Sequence, residues 1–252
     1  MFNKAPGARP HSLFSFGTLL EENVQVTLFG HAVPGAEASL AGYATRPLVI
    51  TDAAVIATSG SQVHLTLKRE LGSVVTGGVL RLSDEELAAA DAYEVDDYAR
   101  RRVLLSSGES AWAYLDAEPL RSASRVLIAG GGEYGRLAAE RITKDEAHHR
   151  LFNAAVPGNT LTEITAQIPE LLPRHRPDTV VFAAGIDGND DWPATIAADL
   201  ARLAEIVLRG NGRLVIAGPT AVDDERIAET QVPALRDALS TWCIENHVDY
   251  LA

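Results

Sequence analysis

Leu13-Phe14-Ser15-Phe16-Gly17-Thr18-Leu19 is a short apolar strand running into a glycine and a hydroxyl residue. Such a turn lets consecutive backbone N–H groups converge on one point, as where a carboxylate or an oxyanion is held. Farther along stand Asp91-Ala92-Tyr93-Glu94 and Tyr98-Ala99-Arg100, which bring a carboxylate able to move protons. An anion-holding turn and one placed acid form the nucleus of a site. The rest of the first half is read outward from them.

Around this nucleus lie closely spaced apolar segments: Leu13–Phe16, Val24–Phe29, Ala41–Thr51, Val63–Leu67, Thr76–Leu82, Arg102–Ser106 and Ala111–Leu115. All read as strands separated by turns. One helix interrupts them at Asp84–Asp91, announced by Ser83 followed three residues later by Glu86, a capping box. The first half is therefore expected to be α+β. From Arg125 the pattern changes. Strand-like runs at Arg125–Ala129, Leu151–Val156, Thr179–Ala184, Arg213–Ala217 and Val248–Leu251 alternate with helical stretches at Tyr134–Ile142, Leu161–Arg174, Trp192–Arg209 and Ile227–Asn246. That alternation predicts α/β with a doubly wound parallel sheet. Two domains are expected, residues 1–121 and 122–252, with residues 1–12 as a flexible leader and a short linker near Glu118–Ala123.

Composition narrows the function. Of 252 residues, 22 are basic and 34 acidic, a net charge of −12, and neither half is basic. Nucleic-acid binding needs clustered Lys and Arg, so it is not expected; the single run Arg100-Arg101-Arg102 reads as a solvated strand edge. The N-terminus has no apolar run of membrane or signal-peptide type. The one cysteine, Cys243, excludes an internal disulfide and a thiolate zinc site and favours a reducing, cytoplasmic setting. It falls on the inner stripe of a helix with Leu235, Leu239 and Trp242 and is expected in the core. The histidines are not spaced as a metal site: His148-His149 are adjacent, and His11, His31, His64 and His175 lack partners. No cofactor and no metal is expected. Asp187, Asp190 and Asp191 read as a solvated loop.

The first half resembles the gamma-glutamylcyclotransferase-like family, in its bacterial AIG2-like branch. The resemblance is carried by Phe14–Leu19, Phe29-Gly30, Pro34-Gly35-Ala36, Leu40–Tyr43, Gly77–Leu80, Leu82-Ser83, Asp91–Glu94, Tyr98–Arg100 and Trp112–Tyr114, in family order. It implies a small mixed barrel-like α+β fold and an enzyme, of transferase type, that releases 5-oxoproline and an amine from a gamma-glutamyl amine or peptide. Glu94 would be the general acid/base, Gly17, Thr18 and Leu19 the amide donors, and Phe16, Tyr98 and Tyr114 further substrate-binding residues. Phe16 replaces the tyrosine usual in this turn, removing a hydroxyl from the expected pocket.

The second half resembles the SGNH, or GDSL, hydrolase family in its scaffold. Asn153–Thr160, with Gly158, looks like the second block, and Asp187-Gly188-Asn189-Asp190, with Asn189, like the third. The first block should carry Gly-Asp-Ser, but Gly130, Gly131 and Gly132 stand there, and the closing Asp-x-x-His is not found. His247 precedes the last strand, at the edge opposite a parallel sheet's ligand side. A degenerate SGNH/flavodoxin-like domain is expected, with Gly132, Gly158 and Asn189 as its vestigial site. The same glycines, Gly130 to Gly135, also satisfy G-x-G-x-x-G between a strand and a helix, but no acid follows the second strand to hold a ribose. Two rivals to the cyclotransferase reading remain: an SGNH-type esterase in the second half, and a non-catalytic binding or scaffold protein. The expected partner is a small molecule, with neither nucleic acid nor membrane, and a homo-oligomer is left open.

Overall fold

The computed structural model describes residues 8–49, 56–57, 62–120, 123–145, 150–156, 159–184, 194–219 and 225–252. The chain divides into two compact units, Met1–Glu118 and Pro119–Ala252.

The first unit is built on a five-stranded mixed sheet of β1 (His11–Ser15), β2 (Ala36–Val49), β3 (Val63–Leu82), β4 (Tyr98–Leu104) and β5 (Ser110–Asp116), in the order β2-β3-β1-β5-β4. β1 is central, antiparallel to β3 and parallel to β5. Its consecutive side chains serve two cores. Phe14 joins Leu40, Val79, Val103 and Leu115, whereas Leu13 joins Leu80, Leu82, Leu87 and Tyr114. Both faces of this strand are therefore covered, which is why the consecutive Leu13 and Phe14 are both apolar and buried. The helix α2 (Asp84–Tyr93) packs Leu87, Ala90 and Tyr93 on the Leu13 side, and its capping box forms as expected: Ser83 accepts from the Glu86 N–H while Glu86 accepts from the Ser83 N–H.

Four readings of the first half change. Val24–Phe29 is not a strand but part of α1 (Glu22–Phe29), ended by Gly30 in the left-handed region at φ 78°. What decides it is nonlocal: buried Gln25 donates to the Leu19 carbonyl and accepts from the Val33 N–H, both at 2.8 Å. Val63–Leu67 and Thr76–Leu82 are the two ends of one strand, β3, with an irregularity between them where the register jumps from Ala41↔Val74 to Tyr43↔Arg69. The leader is shorter than expected. His11 and Ser12 already belong to β1, and Arg9 pairs with Glu86 at 2.9 Å; residues 1–7 lie outside the described residues. Arg100–Arg102 do lie on the edge strand β4, but the Arg100 side chain is only 13% exposed, held by Asp91 and stacked on Trp112.

The second unit is a parallel sheet of β6 (Arg125–Gly130), β7 (Arg150–Asn153), β8 (Thr179–Ala183), β9 (Arg213–Ala217) and β10 (Asp249–Leu251), in the order β7-β6-β8-β9-β10. Its central strands β8 and β9 are buried at every position. Alternate residues feed two cores. One includes Ile164 and Ile168 of α4 (Leu161–His175), Leu200 and Leu203 of α5 (Ala194–Arg209), and Leu235, Leu239 and Cys243 of α6 (Glu225–Asn246). The other takes Ala138 and Ile142 of α3 (Gly132–Asp145). Cys243 is in the core, as its helical spacing suggested. β7 stops at Asn153, short of the Val156 expected. At the start of the strands, Arg213 and Asp249 form a buried bidentate pair at 2.5 and 2.9 Å. No described helix is long and apolar enough to cross a membrane.

Candidate active site

After Ser15 the chain leaves β1, bends at Phe16-Gly17 and closes a single 3₁₀ turn, Thr18–Leu20, with Leu20 N–H on the Gly17 carbonyl at 3.0 Å. The first amides of such a turn have no partner within it. Among the described residues, the N–H groups of Thr18 and Leu19 donate to no protein acceptor, and that of Gly17 makes only a long contact of 3.4 Å to Ser15 Oγ. A Cβ on Gly17 would meet nothing within 4 Å, so the backbone here stands open on that side.

This turn borders a cavity of about 300 Å³. Phe16, Gly17, Thr18, Leu19, Glu94, Tyr98 and Tyr114, the residues singled out in the first half of the sequence, all line it. Glu94 arrives as the C-cap of α2, its N–H on the Ala90 carbonyl, in extended conformation. It is not a solvated acid. Burial, with Asp91 adding its charge, pushes its carboxyl from 4.5 up to about 8. Among the described residues its carboxyl has no hydrogen-bond or ion-pair partner. Tyr98 and Tyr114 are likewise pushed up, chiefly by burial, and stay neutral phenols. Tyr98 donates to the Leu65 carbonyl at 3.2 Å and Tyr114 to Asp91 Oδ1 at 2.8 Å.

Six further residues line the cavity that the sequence did not mark as site residues: Phe14, Ser15, Glu21, Val63, His64 and Leu65. Phe14 and Ser15 lie within the quoted motif itself. Val63, His64 and Leu65 come from the far end of β3, and only strand pairing brings them here; nothing local in the sequence announces it. Among the described residues no Lys or Arg lines the cavity, so an anionic group bound there would be met by backbone amides and by the side-chain donors of Ser15, Thr18 and His64.

The second unit presents a different surface. Gly130 sits at φ 154°, where a Cβ would lie 2.4 Å from the Ala183 carbonyl, and a Cβ on Gly135 would lie 2.1 Å from that of Ala155. Close packing of β6 on β8, and of α3 on the segment after β7, thus accounts for the first and last glycines of the G-x-G-x-x-G pattern without any ligand. Gly132 opens α3, and Asn153 turns its side chain back to its own chain, accepting from the Ala155 N–H at 3.0 Å. Gly158, Asn189, the acidic trio Asp187, Asp190 and Asp191, and His148-His149 lie outside the described residues. His247 precedes β10, in the turn ending α6. Among the other histidines, His11 bonds Asp84 at 2.7 Å, His31 contacts Glu86 at 3.0 Å and His175 packs on Phe152.

The family described as "Gamma-glutamyl cyclotransferase, AIG2-like" matches residues 13–136. No curated protein matches the chain. Solved structures that match over the C-terminal half include TesA, at 20% identity and TM-score 0.41, covering 50% of this chain and 77% of that one. A putative GDSL-like lipase from Parabacteroides merdae matches at 14% identity and TM-score 0.42, with 51% and 77% covered. The lipase/acylhydrolase from Enterococcus faecalis does so at 15% and 0.42, with 51% and 75% covered. Over residues 13–136, from the Gly17 turn through Glu94 and beyond, this chain is similar to the gamma-glutamyl cyclotransferase, AIG2-like family.

Proposed function

We propose that the first unit, read as the small barrel-like α+β fold of this family, is a gamma-glutamylcyclotransferase that releases 5-oxoproline and an amine from a gamma-glutamyl amine. One observation carries the reading: an unpartnered carboxyl raised to about 8 lines the same cavity as two unpaired backbone amides. In such a substrate the α-amine attacks the γ-carbonyl of its own chain. Nucleophile and electrophile are tethered, so the protein has mainly to fold the substrate, and no protein nucleophile or metal is called for.

Glu94 takes a proton from the α-ammonium as the new C–N bond forms. The amides of Thr18 and Leu19 offer donors to the substrate carboxylate or to the oxyanion that develops on the γ-carbonyl. Glu94 then passes this proton to the departing nitrogen and the old C–N bond breaks; the ring nitrogen sheds its second proton through the freed Glu94 carboxylate to the released amine, so that the products are 5-oxoproline and a protonated amine. A carboxyl raised to about 8 suits this task. An ordinary carboxylate is a poor base towards an ammonium, whereas one near pH 8 exchanges the proton at little cost and can return it to an amine.

The test is 5-oxoproline release from a panel of gamma-glutamyl amines by the parent chain and by Glu94→Gln. Release that disappears in the variant supports the reading; release that persists, or a folded parent chain releasing nothing, defeats it. The second unit we read as an SGNH-like scaffold. It has glycines where the acyl-accepting serine would stand, so there is no hydroxyl there to acylate, and a fluorophosphonate should leave it unlabelled.

A further inference from the structure

Asp91 is not among the residues lining the cavity, yet two donors converge on one of its oxygens. Tyr114 Oη donates to Oδ1 at 2.8 Å, and Arg100 Nε donates to the same atom at 2.8 Å. The convergence is built by the sheet, because Arg100 and Tyr114 are directly opposed on β4 and β5 and so project to the same face. Stacking of Arg100 on Trp112, at 4.6 Å to the ring centre, holds the guanidinium in place.

A phenol has one hydrogen to give and lone pairs to receive. The Tyr114 hydrogen is committed to Asp91, and that of Tyr98 to the Leu65 carbonyl. Both phenol oxygens therefore offer only acceptor capacity. Beside them, the described lining offers donors at the amides of Thr18 and Leu19 and no Lys or Arg.

We propose that Tyr114 is the acceptor that recognises the substrate's α-ammonium group, and that Asp91 is the positioning residue that fixes the phenol in that role. This rests on the proposed cyclotransferase reaction and deepens it. An amine bonded by its N–H groups to Tyr114 and Glu94 keeps its remaining valence for the γ-carbonyl. The site thereby selects glutamyl compounds with a free α-amine over glutaryl compounds without one.

The test is calorimetric binding of L-glutamate and glutarate to the full chain at pH 6, where Glu94 is protonated and its charge does not enter. The parent should bind L-glutamate more tightly. In Tyr114→Phe and Asp91→Ala that preference should fall about tenfold, the worth of one hydrogen bond to a charged group. In Asp91→Asn it should stay within about threefold of the parent, because an amide oxygen still accepts the phenol hydrogen. A merely structural role would weaken both ligands alike and leave the ratio unchanged. An unchanged ratio in folded Tyr114→Phe overturns the assignment. If the parent binds neither ligand, the subsite is overturned, and 5-oxoproline release from gamma-glutamyl amines decides separately whether the reaction stands.

Discussion

Glu94 in the first unit and Asp249 in the second are both carboxylates withdrawn from water, but they are treated oppositely. Asp249 is met by both arms of Arg213 and is 3% exposed at its side chain. Among the described residues the Glu94 carboxyl has no partner, and its proton is held up to about pH 8. A buried acid with a full set of partners does structural work, whereas one left without them is a proton store. The contrast separates an acid satisfied by its surroundings from one left unsatisfied beside a cavity.

The sharpest way to break the comparison is to neutralise Glu94. Glu94→Gln should lower 5-oxoproline release by about 10²–10⁴-fold, the range that general acid–base catalysis supplies. In the parent, kcat/KM should climb with pH and level off near 8, because only ionised Glu94 can accept the ammonium proton; a profile already flat from pH 5 would contradict this.

Next in size is the paired acid. Asp249→Ala strands the Arg213 guanidinium in the interior and should cost about 3–5 kcal/mol in urea unfolding. A loss below about 1 kcal/mol would mean that the pair is not buried in solution.

Stability should then register the Glu94 carboxyl by the direction of its pH response. Glu94 has a folded value above its unfolded value of 4.5, so between about 4.5 and 8 the folded chain holds a proton that the unfolded chain has lost. Its contribution to stability is therefore present at low pH and disappears as pH rises through that window. Glu94→Gln, which does not titrate, should gain on the parent from pH 5 to pH 9, seen as a rising difference in urea midpoint. A constant difference would place the carboxyl in ordinary solvent.

The smallest effect concerns an ordinary cap. Thr160 and Glu163 close a capping box on α4, and Thr160→Ala should cost about 1 kcal/mol with 5-oxoproline release per folded molecule unchanged.

The parallel sheet was legible because strands buried on both faces are written as apolar runs. Val126 to Ala129, Val180 to Ala183 and Leu214 to Ala217 could hardly be anything else. α1 was not, because Val24, Val26 and Leu28 alternate as a strand would, and the helix is secured by Gln25 bonding to residues on either side of it. At the site, the turn and Glu94 stand in contiguous motifs. His64 and its neighbours reach the cavity only through the pairing of β3, and the isolation of the Glu94 carboxyl is a property of everything packed around it. A sequence shows which acid is present, not whether anything meets it.

The end of α2 carries one more consequence. Its last turn has no basic residue, and with Asp91 paired to Arg100 and Glu94 holding its proton up to about pH 8, the helix's own terminal carbonyls make it a modest negative pole. The open amides of Thr18 and Leu19, a positive pole, line the same cavity. On the proposed cyclotransferase reading, a glutamyl head group would set its carboxylate end towards the amides and its ammonium end towards the helix terminus, so that the backbone alone would favour one orientation.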